Sequence, residues 1–145
     1  MRLALAILSL LVLLAPARAQ NLAACSAATT HGNYSVMCSG MISPAAGAPQ
    51  VPITVLGVAT AVWGGTVTGT AKASIGGSTV VQTVTGVAAT NSDCTGSIRY
   101  TQKINDQPAP DLNLVVHVLD DGKEIRGMSV DAGVTMTCSL RLMSR

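Results

Sequence analysis

Few residues in this chain can do chemistry, and their spacing narrows what that chemistry is. His31 and His117 are the two imidazoles, and neither sits in HExxH, beside paired CxxC or in any other metal-ligand spacing, so no metal and no cofactor follow from them. The chain has no GxSxG elbow, no Walker loop and no GxGxxG. Cys94, in Asn91-Ser92-Asp93-Cys94-Thr95-Gly96, would need a neighbouring base to become a nucleophilic thiolate. Its nearest ionisable neighbour is Asp93, whose negative charge works against that, so Cys94 reads as a structural staple and no residue is assigned a catalytic role. His117, Glu124 and Arg126 would make a general acid/base group only if they faced an enclosed space. Tyr100 and Gln102 lie two apart, and with Tyr34 they are suited to the few polar contacts of a small-molecule pocket. Trp63, beside Gly64-Gly65, is placed to plug or gate one end of such a pocket.

The elements that must position these residues are strands. Short runs rich in Val, Thr and Ile alternate apolar with polar residues between Gly-, Asn- and Asp-containing turns, and no long amphipathic helix is evident. The pattern predicts strands over Asn33–Ile42, Val51–Val62, Thr66–Ile75, Thr79–Thr90, Thr95–Ile104, Leu112–Asp120, Lys123–Val130 and Val134–Leu142. The Pro-containing Asp106–Asp111 stretch is expected to be a loop. Most connections are short enough to join antiparallel neighbours. A meander of this length leaves two unpaired edges unless it closes, so the expected fold is all-β, an eight-stranded antiparallel up-and-down barrel.

Alternation then sorts residues by face. Ile98, Tyr100, Gln102 and Ile104 share one side of their strand, and Gly57, Ala59, Ala61, Gly69, Ala71, Ala73, Val84, Gly86 and Ala88 form an inward set of small residues that leaves room in the lumen. A turn at Asp121-Gly122 pairs Leu119 with Glu124, His117 with Arg126 and Val115 with Met128, which puts the His117 cluster outside and leaves no carboxylate or imidazole within.

Residues 1–19 have the form of a cleaved secretory signal peptide: Arg2, an apolar run from Leu3 to Ala15, then Ala17-Arg18-Ala19. That run is too short to be a transmembrane segment, and residues 20–145 are expected to form a single barrel domain. A competing reading takes Leu22-Ala23-Ala24-Cys25 as a lipoprotein signal that anchors Cys25. Two of the nine Lys and Arg, Arg2 and Arg18, belong to the leader, while all seven Asp and Glu lie beyond it, so the remainder is formally neutral. Scattered basic residues, with no Phe, give no face for nucleic acid. With Trp63, Tyr34 and Tyr100 as its aromatics, the chain also lacks the girdles of an outer-membrane barrel.

The four cysteines of an exported chain imply disulfides. Cys38 shares a face with Tyr34 and Val36, and Cys138 shares one with Val134, Met136, Leu140 and Leu142. In a closed barrel the first and last strands are neighbours, so Cys38 would bond Cys138 across the seam and leave Cys25 for Cys94.

Cys25-Ser26-Ala27-Ala28, Gly32-Asn33-Tyr34, Asn91-Ser92-Asp93-Cys94-Thr95-Gly96-Ser97, Asp121-Gly122-Lys123-Glu124-Ile125 and Met128-Ser129 together resemble a large group of uncharacterised exported bacterial proteins with the pattern CSxA, GxY, NxDCTG. The resemblance covers nearly all of residues 20–145. It implies pairing of Cys25 with Cys94, a barrel of the allene-oxide-cyclase-like or lipocalin-like kind, and no established catalytic residues. Cys38 and Cys138 depart from the usual pattern as an added pair. A bacterial origin would leave the Asn33-Tyr34-Ser35 glycosylation acceptor unused.

The expected function is an exported, non-enzymatic barrel, secreted or periplasmic, that binds a small apolar molecule or acts at the cell envelope. Two other readings stand beside it: an isomerase or cyclase whose shaped lumen folds a flexible substrate, and a structural or adhesive surface domain with a filled interior and an exposed apolar patch.

Overall fold

The computed structural model describes residues 24–45 and 47–145. The expected signal peptide and the Gln20 start lie outside the described residues. Among the described residues eight strands follow in order: β1 Gly32–Ile42, β2 Val51–Ala61, β3 Thr66–Ile75, β4 Ser78–Thr90, β5 Thr95–Ile104, β6 Gln107–Leu119, β7 Glu124–Ser129 and β8 Val134–Ser144. Each pairs antiparallel with the next, and β1 also pairs with β8, which closes the barrel. Among the described residues no helix is long and apolar enough to cross a membrane.

The period-2 pattern explains why these segments settle as they do. Along β2, Ile53, Val55 and Ala59 are buried while Thr54, Leu56, Val58 and Thr60 are exposed. A slip of one residue would exchange the two sets, so the apolar interior holds the register. Outside, Thr60, Thr68, Thr85 and Thr101 fall in one row across β2, β3, β4 and β5. Branched Thr side chains suit a pleated surface and cover the backbone with hydroxyls. An apolar interior under a hydroxyl-rich wall is the inverse of a lipid-facing barrel. Met37 and Leu56, opposite one another on β1 and β2, interrupt that wall and are well exposed.

Both expected disulfides are formed, Cys25–Cys94 and Cys38–Cys138. Cys38 lies directly opposite Cys138 in the β1–β8 ladder, so the bond crosses the seam within the barrel. Oxidised cysteines belong to chains that fold in an oxidising, extracytoplasmic environment.

The observed strands differ from expectation chiefly at β6, which begins at Gln107 instead of Leu112 and includes Pro108 and Pro110. Proline lacks a backbone N–H and is tolerated in a strand only where that donor has no partner to meet. β7 pairs with β6 only from Leu114 onward, so residues 107–111 have β5 on one side and no strand on the other. The register also shifts there: Tyr100 faces Leu112 and Gln102 faces Ala109, an extra residue on β6 that forms a bulge. Between β6 and β7 the expected side-chain pairs are all present. The turn itself is a single 3-10 turn at Asp120–Gly122 in place of a two-residue hairpin.

One end of the barrel is closed. The segment Ala24–His31 crosses it, held by the Cys25–Cys94 bond and by the Cys25 N–H donating to the Ser92 carbonyl at 3.3 Å. Tyr34, 1 % exposed, points the same way and donates from its hydroxyl to the Gly122 carbonyl at 2.9 Å. Gly122 has a φ of +80°, and a Cβ there would collide with the Thr29 carbonyl, so glycine alone lets the 3-10 turn close over this segment. Arg145 donates to the Asp121 carbonyl at 2.6 Å, which brings the last residue to the same end.

Candidate functional site

The inward residues of the middle strands are too small to fill the barrel. Ala59 on β2, Ala71 and Ala73 on β3 and Val84 on β4 face bulkier Ile98, Tyr100, Leu114 and Met136 across the lumen, and a cavity of about 460 Å³ remains between them. It extends from mid-barrel to the end opposite the closed base. There Ser43, Pro44 and Ala45 after β1, Pro110 and Asp111 in β6, and Asp131 and Ala132 between β7 and β8 form its rim. A second void of about 30 Å³, bordered by Thr30, Tyr34 and Val116, lies beneath it toward the base and is no larger than a water molecule's share of space. The barrel is a cup.

Its polar fittings depend on the β6 bulge. Where β6 carries its extra residue the Pro110 carbonyl leaves the ladder, and Gln102 donates to it at 2.7 Å. Gln102 in turn accepts a hydrogen bond from Gln82, 7 % exposed on β4. Each amide is thus tied to the wall through one N–H. Tyr100 lies opposite Gly86, where an added Cβ would come within 2.6 Å of the Tyr100 Cα and Cβ, so glycine on β4 lets the two strands approach closely at this point. Burial first, and the Asp131 charge second, push the Tyr100 hydroxyl up to about 12, and it makes no hydrogen bond among the described residues. It remains a protonated donor facing the cavity.

Asp131 is anchored from β6. Its carboxylate accepts from the Asn113 backbone N–H and from the Asn113 side-chain amide, each at 2.7 Å, and from the Ser129 hydroxyl at 3.2 Å. Burial pushes this carboxyl up, but the bonds from Asn113 and Ser129 together outweigh it and hold the group below the usual carboxylate range. Asp111, on the rim, pairs with Arg99 at 3.5 Å in an exposed ion pair.

Of the candidates from the sequence, Tyr100 and Gln102 line the cavity together. Tyr34 does not join them: it points to the base, and its hydroxyl serves the Gly122 carbonyl. Trp63 neither plugs nor gates the lumen. It stands 69 % exposed on the β2–β3 connection at the closed end, its ring centroid 4.9 Å from that of His31, whose Nδ1 meets the Ala28 carbonyl at 2.5 Å. His117, Glu124 and Arg126 lie outside, as alternation requires, with Arg126 bonded to Glu124 at 2.8 Å. Cys94 is the base staple; beside it Asp93 accepts from the Thr95 hydroxyl at 2.6 Å and backbone N–H at 3.0 Å, which lowers its carboxyl.

Gln82 shares the even-numbered face of Val84, Gly86 and Ala88, so alternation alone suffices to find it. Asp131 and Asp111 correct the expectation of a lumen without carboxylates. Both come from segments that alternation treats as loops, and only the Asn113 anchor and the extended β6 bring them to the mouth.

Fold and site define a closed, disulfide-locked, eight-stranded barrel with an apolar cavity open at one end. The chain matches no protein-family model, no curated protein and no solved structure. Its likeness to other proteins therefore adds nothing to the geometry.

Proposed function

We propose that this protein is an exported, non-enzymatic barrel, secreted or periplasmic, that holds a small apolar molecule in its lumen. The observation that carries the reading is the 460 Å³ cavity with largely aliphatic walls and a few polar groups at one side. That size lies within the roughly 300–1,000 Å³ of small-molecule sites, and the composition is the usual one. A structural or adhesive domain calls for a filled interior, which this cup does not have.

The shared presence of Tyr100 and Asp131 favours a second reading, an isomerase or cyclase using them as acid and base. Their proton affinities argue against it. A general acid or base works best when its pKa lies near the working pH, whereas Tyr100 is pushed up to about 12 and Asp131 is lowered. One keeps its proton and the other stays ionised throughout the neutral range.

Native mass spectrometry of the protein purified from its own host is expected to show a co-purifying small molecule released on unfolding. An empty lumen, with no thermal shift across a panel of lipids and metabolites, would overturn carriage. Conversion of a bound molecule on incubation would favour the enzyme.

A further inference from the structure

We propose that the cavity selects the polar end of its occupant: it takes an apolar amine, with the ammonium at the mouth beside Asp131, and rejects an apolar carboxylate of the same length. This rests on the reading of the lumen as a small-molecule site.

The argument is one of charge and of which hydrogen-bonding groups are already committed. Among the described residues lining the cavity the ionisable ones are Tyr100, Asp111 and Asp131, and none is Lys, Arg or His. Asp111 has Arg99 as an exposed counter-ion, so its charge is largely offset and screened. Asp131 has no cation within salt-bridge distance among the described residues. What holds it is neutral: two N–H groups of Asn113 and the Ser129 hydroxyl, which fix the carboxylate in place without cancelling its charge.

A carboxylate offers about four acceptor positions, so with three occupied one is left for a further donor. Gln82 and Gln102 are tied to each other and to the Pro110 carbonyl and carry no charge, which leaves Asp131 as the anionic acceptor at the mouth with no counter-ion among the described residues. An ammonium next to Asp131 meets a charge-assisted acceptor as its hydrocarbon tail enters the aliphatic lumen. A carboxylate in the same position would face a like charge in a half-buried setting with no cation to receive it.

Dissociation constants measured by calorimetry for decylamine, decanol and decanoate, below their aggregation concentrations at neutral pH and low salt, test the proposal. Decylamine is expected to bind tightest and decanoate weakest, with at least about a tenfold span, the scale of a partly buried charge pair. Added salt should weaken decylamine and leave decanol unchanged. Asp131→Asn should bring decylamine down to the level of decanol; if that variant does not fold, the salt dependence of the native protein decides.

Decanoate binding as tightly as decylamine overturns the selectivity while leaving the lumen reading intact. Failure of all three to bind overturns the lumen reading itself. Tight decylamine binding that neither Asp131→Asn nor salt affects removes Asp131 from the account.

Discussion

At the scale of single residues, Tyr100 shows how a small partner creates a site. Its strand lies close against β4 because Gly86 across the ladder has no side chain, and its hydroxyl, unpaired among the described residues, faces the cavity. The linkage has a definite sign. A folded-state pKa near 12, above the ordinary 10, gives stability that is fully present below pH 10 and lost as pH rises through 12. That loss amounts to about 2–3 kcal/mol. Ultraviolet titration of the native protein is expected to show a tyrosinate step near 12 that Tyr100→Phe abolishes; a step near 10 that vanishes in this variant would mean the ring is solvated. Tyr34 is also raised, by burial against the opposing charge of Arg145, so the variant is needed to separate the two. Parity alone placed Tyr100 and Gln102 inward. It could not separate Tyr34 from them, since Tyr34 also faces inward and only its depth along the barrel, below the cavity, removes it from the site.

At the scale of elements, strand boundaries were legible almost throughout, because β-branched residues alternate with polar ones and glycine or Asp marks most turns. β3 and β5 begin and end where the pattern puts them. β6 was not legible at its start. Pro108 and Pro110 argue against a central strand, and nothing local reveals that β7 is too short to reach them. The consequence can be measured. Amide protons at Gln107, Ala109 and Asp111, with a strand on one side only, are expected to exchange with solvent faster than those of Leu114 to Val118, which lie between β5 and β7. Equal protection would mean that another segment covers this edge. The same stretch carries the Pro110 carbonyl and Asp111, so the least protected part of the wall is also part of the cavity rim.

At the scale of the whole molecule, closure joins the chain's first strand to its last, the most distant pairing available to it. Ladder and disulfide both contribute. Replacing Cys38 and Cys138 together by alanine leaves the β1–β8 pairs from Tyr34–Leu142 to Ile42–Val134 to hold the seam. The barrel is expected to stay closed and to lose about 2–5 kcal/mol by urea unfolding, since the lost cross-link no longer restricts the unfolded chain. An unchanged midpoint would show that the unfolded chain gains nothing from its release. Fold, strand order and both cysteine pairs could be read from the residues because each follows from alternation plus the need to remove sheet edges. The carboxylates of the mouth could not, because a loop's position depends on partners elsewhere in the chain, as Asp131 depends on Asn113. Finally, Ala24 and Arg145 both lie at the closed base. A linker joined after Arg145 therefore departs from the floor of the vessel. A copy immobilised on a bead or displayed on a cell by that linker holds its rim toward the bulk solution, where dissolved molecules reach it unobstructed.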